Sequence, residues 1–94
     1  MKDMSYTSHV GKYLREADFS GTDLRRAIFD GAVMRGASFI KAKMNLSNFQ
    51  GCRLEDADLR GIRGRYAIWR NAIWCDAKMN DDLREVLTKK WPRE

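Results

Sequence analysis

The chain has 94 residues, a third of them charged, with 18 lysines and arginines against 13 acids and a formal net charge of +5. That length suits a single domain, 1–94; no apolar stretch nears the roughly 18 residues that span a bilayer, and Met1-Lys2-Asp3-Met4-Ser5-Tyr6 leads into no apolar run that would mark a secretory signal. A soluble, cytoplasmic protein is expected, with a positive charge that favours anionic partners over roles needing an acidic surface.

Residues 1–16 carry no clear period. Leu14 lies five places before Phe19, but a block centred on it would put Lys12 at a small inward position, where a buried amine is costly. The stretch is therefore expected to be an irregular cap, with Tyr6, Val10 and Tyr13 covering the N-terminal end of a core. His9 has no partner ligand near it and is expected to be solvent-exposed or part of that cap.

From Ala17 to Asn80 a small residue recurs every fifth place and a large apolar one follows two places later. Examples are Ala17-Asp18-Phe19, Ala27-Ile28-Phe29, Ser47-Asn48-Phe49 and Ala57-Asp58-Leu59. A helix needs apolar residues near every 3.6 positions and a half-buried strand needs strict alternation, and neither describes thirteen blocks of five. Inside a block the small and large residues point the same way, as in a strand. The last two places change direction, which suits Gly21, Gly31, Gly36, Gly51 and Gly61 at the fifth. A fixed short period of this kind marks a solenoid.

These blocks resemble the pentapeptide-repeat family, whose unit is Ala-(Asp/Asn)-Leu-x-x with Leu or Phe at the centre. The resemblance implies an all-β solenoid, a right-handed quadrilateral β-helix with four blocks per coil and about three coils over 17–80. All four phenylalanines fall on central positions. In the third coil Gly64 removes a central side chain, Ile62 replaces the usual Ala, and Trp69 and Trp74 exceed the usual size. Close packing favours Ile62 and a tryptophan filling the space; the alternative is a binding notch.

After the repeats, Leu83, Val86, Leu87 and Trp91 share one helical face. The sequence predicts a helix over 81–91, capped by Asn80 or Asp81, acidic at its start, basic at Lys89 and Lys90, and stopped by Pro92. It is expected to cover the last coil; in the family such a helix can also mediate dimer formation.

No catalytic set, metal-ligand cluster or phosphate loop is visible, so neither an enzyme nor a cofactor site is expected. Cys52 takes a small inward position and Cys75 an outward one on the same side, so a disulfide is not expected. Sorting outward residues by side places Arg25, Lys43, Arg63 and Arg65 on one side, with Arg26 at its corner, as a candidate contact for anions or nucleic acid or else a solvated surface. Only Tyr66 is there to stack on bases. Ile28 and Ile68 on one neighbouring side, and Val33 and Ile73 on the next, are candidates for a protein interface, together with Leu83, Leu87 and Trp91. Quinolone-resistance members of the family resemble DNA in shape and negative charge, whereas eleven basic residues against seven acidic ones in these repeats argue against that role. The expectation is a non-catalytic scaffold for a protein partner or a second copy of itself, with anion or nucleic-acid binding as the alternative.

Overall fold

The computed structural model describes residues 2–92. A parallel β-bridge falls on every fifth residue and joins it to the residue 20 positions on. The pairs align in four columns: Asp3, Asp23, Lys43 and Arg63; Ser8, Ile28, Asn48 and Ile68; Tyr13, Val33, Arg53 and Ile73; and Asp18, Ser38, Asp58 and Lys78. Five-residue blocks stacked at a spacing of 20 make a coil of four sides, named here one to four in that order. Each side turns a corner after a single bridge, so the ladder never lengthens into an extended strand.

The ladder is tied in both directions. Leu24 N–H donates to the Lys43 carbonyl on the next coil at 2.7 Å, while Asp23 N–H donates back to the Lys2 carbonyl at 2.8 Å. Corners close locally, as where Ala27 N–H donates to the Leu24 carbonyl at 3.0 Å. The fifth residue of a block takes a positive φ, 68° at Gly31 and equally 61° at Arg26 and 63° at Tyr66. Glycine adopts this region freely, but a residue with a Cβ gives up on the order of 1–2 kcal/mol there.

The coil begins earlier than the sequence period indicates. Residues 1–16, expected to be an irregular cap, form a coil in register over their described part, with bridges at Asp3, Ser8, Tyr13 and Asp18. There are four levels rather than about three. On this first level the inward positions open past the end of the rod, so Lys12 keeps its side chain exposed and the expected burial cost does not arise. Thr7 turns its hydroxyl to the Met4 carbonyl at 2.6 Å, as Ser47 does to Met44 two coils on.

His9 heads the core rather than facing solvent, only 8% exposed. It lies flat on Phe29 at 4.8 Å between ring centres, and the column continues through Phe49 at 5.1 Å and Trp69 at 4.7 Å. These steps match the roughly 4.8 Å between neighbouring strands. Phe19 and Phe39 stack at 5.2 Å on side four and meet the first column edge-on. Leu24, Met34, Met44, Leu54 and Leu59 fill further centres, all fully buried. Thr7 Oγ1 lies 2.8 Å from His9 Nε2. Because the hydroxyl proton is directed at Met4, the assigned tautomer carries its proton on Nε2.

Cys52 is buried with its thiol donating to the Phe29 carbonyl at 2.7 Å, and burial pushes that thiol up to about 12. Cys75 is exposed, and both cysteines are unpaired.

The helix α1, Asp81–Lys90, follows the last bridge. Its acids lie in the first turn and Lys89 and Lys90 in the last, matching the macrodipole. Asn80 stands at the N-cap position but makes no capping bond; its Oδ1 accepts instead from Gly61 N–H at 2.8 Å, taking the place of a further coil. Arg84 donates to the carbonyls of Cys75 and Ala77 at 3.0 and 2.8 Å, and the Trp74 indole donates to the Trp91 carbonyl at 3.3 Å. These bonds anchor α1 to sides three and four. Leu87 is buried against the core, with Leu83 and Trp91 half-buried beside it.

Candidate interaction surface

The four sides differ in charge. Side one carries Lys2, Arg25, Arg26, Lys43, Arg63 and Arg65 against Asp3 and Asp23. Elsewhere on the coil the signs nearly cancel: Arg70 offsets Asp30 on side two, acids equal bases on side three, and side four has one base in excess, with Lys41, Arg60 and Lys78 against Asp18 and Asp58. Most of the coil's net positive charge therefore lies on one side, where its field adds up instead of averaging out.

Within side one the cations are not equivalent. Arg25 grips Asp23 with Nε at 2.9 Å and a terminal nitrogen at 2.7 Å, and these bonds hold the Asp23 carboxyl down to about 2. That pair is internally neutral. Arg26, Lys43, Arg63 and Arg65 form no ion pair among the described residues, so four of the five cations expected at this surface remain available for a partner.

The corner between sides one and two is built differently from the others. Its four levels are Tyr6, Arg26, Leu46 and Tyr66, every one at positive φ and none a glycine. The corner between sides two and three has Gly11, Gly31 and Gly51 at the same places. Accepting strain on every level displays a column of large side chains, with Tyr6 75% and Tyr66 68% exposed. The Arg26 guanidinium lies 5.9 Å from the centre of the Tyr6 ring, and Arg65 lies 6.0 Å from that of Tyr66. Strain that persists at exposed positions points toward function. Sequence reasoning credited this surface with Tyr66 alone, because Tyr6 joins the column only once residues 2–6 are read as a repeat.

The apolar candidates do not merge. Asn48 separates Ile28 from Ile68, and Arg53 separates Val33 from Ile73. Arg53 is itself fixed to Glu55 at 2.7 Å. Leu83, Leu87 and Trp91 pack toward the core.

At the C-terminal end both outcomes considered for Gly64 occur together. A Cβ there would meet Ile62 Cδ1 at 3.5 Å and Trp69 Cζ2 at 3.9 Å, so these neighbours do lean into the missing volume. Above them a groove of about 760 Å³ stays open between the last coil and α1, floored by Ile62, Gly64 and Trp69 and walled by Leu83 and Val86.

Among the described residues no His, Cys, Asp and Glu group is arranged to hold a metal ion, and no helix is long and apolar enough to cross a membrane. A family model for pentapeptide repeats matches residues 13–51 and 31–61, with eight copies. The crystal structure of HetL, a pentapeptide repeat protein involved in heterocyst differentiation regulation from the cyanobacterium Nostoc sp. strain PCC 7120, superposes with a TM-score of 0.80 at 31% identity. That match covers 84% of this chain and 37% of HetL, so the chain spans little more than a third of that protein's length. A pentapeptide repeat protein from the thylakoid lumen of Arabidopsis thaliana gives a TM-score of 0.59 at 28% identity, covering 94% of this chain and 75% of its own. No curated protein matches the chain.

Proposed function

The chain belongs to the pentapeptide-repeat family, and we propose that it works as a non-catalytic scaffold that binds an acidic protein surface with side one and the corner beside it. The coil is right-handed on this reading, as the resemblance implies. One observation carries the proposal: a corner that bears Tyr6, Arg26, Leu46 and Tyr66 at strained backbone angles, next to the side that holds most of the coil's net charge. Tyr and Arg are the residues most often found at the energetic centre of protein interfaces. The flanking cations supply steering and choice of partner more than raw affinity. A rigid ladder presents them without an ordering cost on binding. HetL's involvement in regulation is of the kind an interaction scaffold serves.

Nucleic acid is the second reading, favoured by the same tyrosines and cations. Tyr6 and Tyr66 stand three coil steps apart, about 14 Å at the usual strand spacing, with Arg26 and Leu46 between them. A run of stacked bases wants aromatics in succession, and this spacing suits a protein surface better. A DNA mimic would need the opposite charge. The cytoplasm is the compartment we assign, on the strength of two unpaired thiols; cell fractionation tests it directly.

Fluorescence anisotropy with a polyglutamate peptide and with a single-stranded RNA of about 20 nucleotides, at 50 and 200 mM salt, separates the readings. If Arg26, Lys43, Arg63 and Arg65 each contact a phosphate, RNA affinity falls about fifty-fold between the two salts. The protein reading expects polyglutamate to bind at low salt, RNA to bind no tighter, and the double variant Arg26→Glu, Lys43→Glu to lose the peptide. Peptide binding unchanged in that variant removes side one as the contact.

A further inference from the structure

The hydrogen-bond ladder of side one stops at the last coil while its bonding groups continue. One level below, Met44 N–H donates to the Arg63 carbonyl at 2.7 Å, Leu46 N–H to Arg65 at 3.0 Å, and Arg63 N–H donates back to Ala42 at 3.0 Å. On the last level the equivalent groups are Gly64 N–H, Tyr66 N–H and the Ile62 carbonyl, and none has a backbone partner among the described residues. The chain has by then left the coil for α1, which is anchored over sides three and four. An unpaired strand edge of this sort is a template for another strand, and here it opens into the groove above Gly64, whose floor of Ile62 and Trp69 is apolar.

We propose that this edge takes an extended segment of the protein partner as a parallel strand, in the place a fifth level of side one would occupy; the inference rests on the protein-binding reading above. Continuing the register defines the segment. One residue donates its N–H to the Ile62 carbonyl and accepts from Gly64 N–H; the residue two places later accepts from Tyr66 N–H. The residue between them points inward. Gly64 offers no side chain beneath it, so a large apolar residue enters the groove against Ile62, Trp69 and Leu83. The two outward residues fall beside Arg63 and Arg65, neither of which has an ion-pair partner among the described residues. Lys90 and Asp82 of α1 line the same groove and offset each other in charge, so Arg63 and Arg65 set the preference. Opposite charges on directly neighbouring strand positions stabilise and like charges oppose, so the favoured segment is acidic, large apolar, acidic. Backbone bonds supply affinity and the alternate side chains supply choice, the usual division in strand addition.

A second copy of the chain fits this edge less well. Its first side-one block, Asp3-Met4-Ser5, has part of the pattern, but coil-on-coil stacking would have to displace α1 from sides three and four.

The probe is a ten-residue peptide, acetylated and amidated, with Asp-Leu-Glu at its centre, titrated into the full 15N-labelled chain. The proposal expects the Gly64 and Tyr66 amide signals to shift most and their hydrogen exchange to slow. A Lys-Leu-Lys peptide, or one with Pro for the Asp, should bind about tenfold more weakly or less. Gly64→Leu restores an ordinary repeat centre, places its Cβ at ordinary contact distance from Ile62, Ala67 and Trp69, sends the rest of the side chain toward the groove and leaves every cation in place; it should abolish peptide binding, with circular dichroism checking that the fold is kept. Polyglutamate, which has no apolar residue to place above Gly64, should still bind Gly64→Leu, so failure of side one (no polyglutamate binding by the natural chain) and failure of the groove (polyglutamate bound, Asp-Leu-Glu peptide not bound at Gly64) are read separately. Equal binding by Gly64→Leu, or shifts confined to α1, overturns the proposal. Concentration-dependent shifts at Gly64 without peptide, with a doubled mass by light scattering, would identify a second copy as the occupant and overturn it too.

Discussion

Phe29→Ala tests whether the aromatic column holds the coil together. Phe29 is fully buried, sandwiched between His9 and Phe49 at 4.8 and 5.1 Å, and meets Phe19 and Phe39 edge-on at 6.0 and 6.1 Å. Burying a phenylalanine removes about 150–250 Å² from water, worth about 4–6 kcal/mol at 25 cal/mol per Å². Alanine keeps a small part of that, and the coils above and below are pinned by their ladder and cannot collapse into the gap. A loss of about 3–5 kcal/mol follows. A chain this long is stable by only about 5–14 kcal/mol, so the variant should lie close to its unfolding transition. Urea denaturation followed by tryptophan fluorescence and circular dichroism measures the change. Phe29→Leu, which keeps a family-type centre, should lose only about 1–1.5 kcal/mol. A loss below about 1.5 kcal/mol for Phe29→Ala, at unchanged slope, would show that the column is not the principal support and that this reasoning is wrong.

Acid should weaken the N-terminal coil through His9. Burial first and then Lys12 lower its affinity for a proton in the folded chain, so the unfolded chain binds the proton more strongly. The associated stability is complete above the ordinary value of 6.5 and declines as pH falls through it toward the lower folded value. Urea midpoints at pH 7.5 and pH 5 should differ for the natural chain and converge in His9→Phe; an equal slope in both variants would refute the assignment. For Asp23, a carboxyl titration by NMR should find a midpoint of about 2, returning toward 3.8 in Arg25→Gln, because the Arg25 guanidinium is its largest cause. A midpoint unmoved by that change would mean that the pair seen at 2.7 Å is not kept in solution.

How much of this was legible in the sequence depends on what each residue had to satisfy. Ala17 to Asn80 declares its register because inward places from Thr22 to Gly61 are closed by coils on both faces and α1 packs over part of the last level, so small and large apolar residues dominate there. Lys12 and Thr7 break the pattern on a level with one open face, where an amine can leave past the end and a hydroxyl can reach Met4. The period was therefore invisible where the constraint relaxes. Tyr6 escapes its column in the sequence for the same reason, while of the two places open to His9 the capping one holds, at the head of the aromatic column. Splitting the outward residues by side was legible, since it needs only counting in fives, and so was the unusual centre at Gly64. The groove above it was not. It depends on the angle at which α1 crosses the end of the coil, and that angle is set by Arg84 reaching two carbonyls and Trp74 reaching a third. No local pattern encodes those contacts.

The spacing of 20 between bridged residues also restricts how such a chain can change length. Removing one whole turn brings each remaining residue onto the same column it had before, so the charged side stays charged and the core stays apolar. Losing a single block of five keeps the local period but rotates all that follows by a quarter turn. Arg63 and Arg65 would then move round to side four, Tyr66 would leave the corner of Tyr6, and Trp69 would land above Leu24 and Met44. A cut that is not a multiple of five throws inward residues outward. Insertions and deletions in this lineage should therefore come in whole turns wherever the binding side matters, and in single blocks only where the four sides are interchangeable.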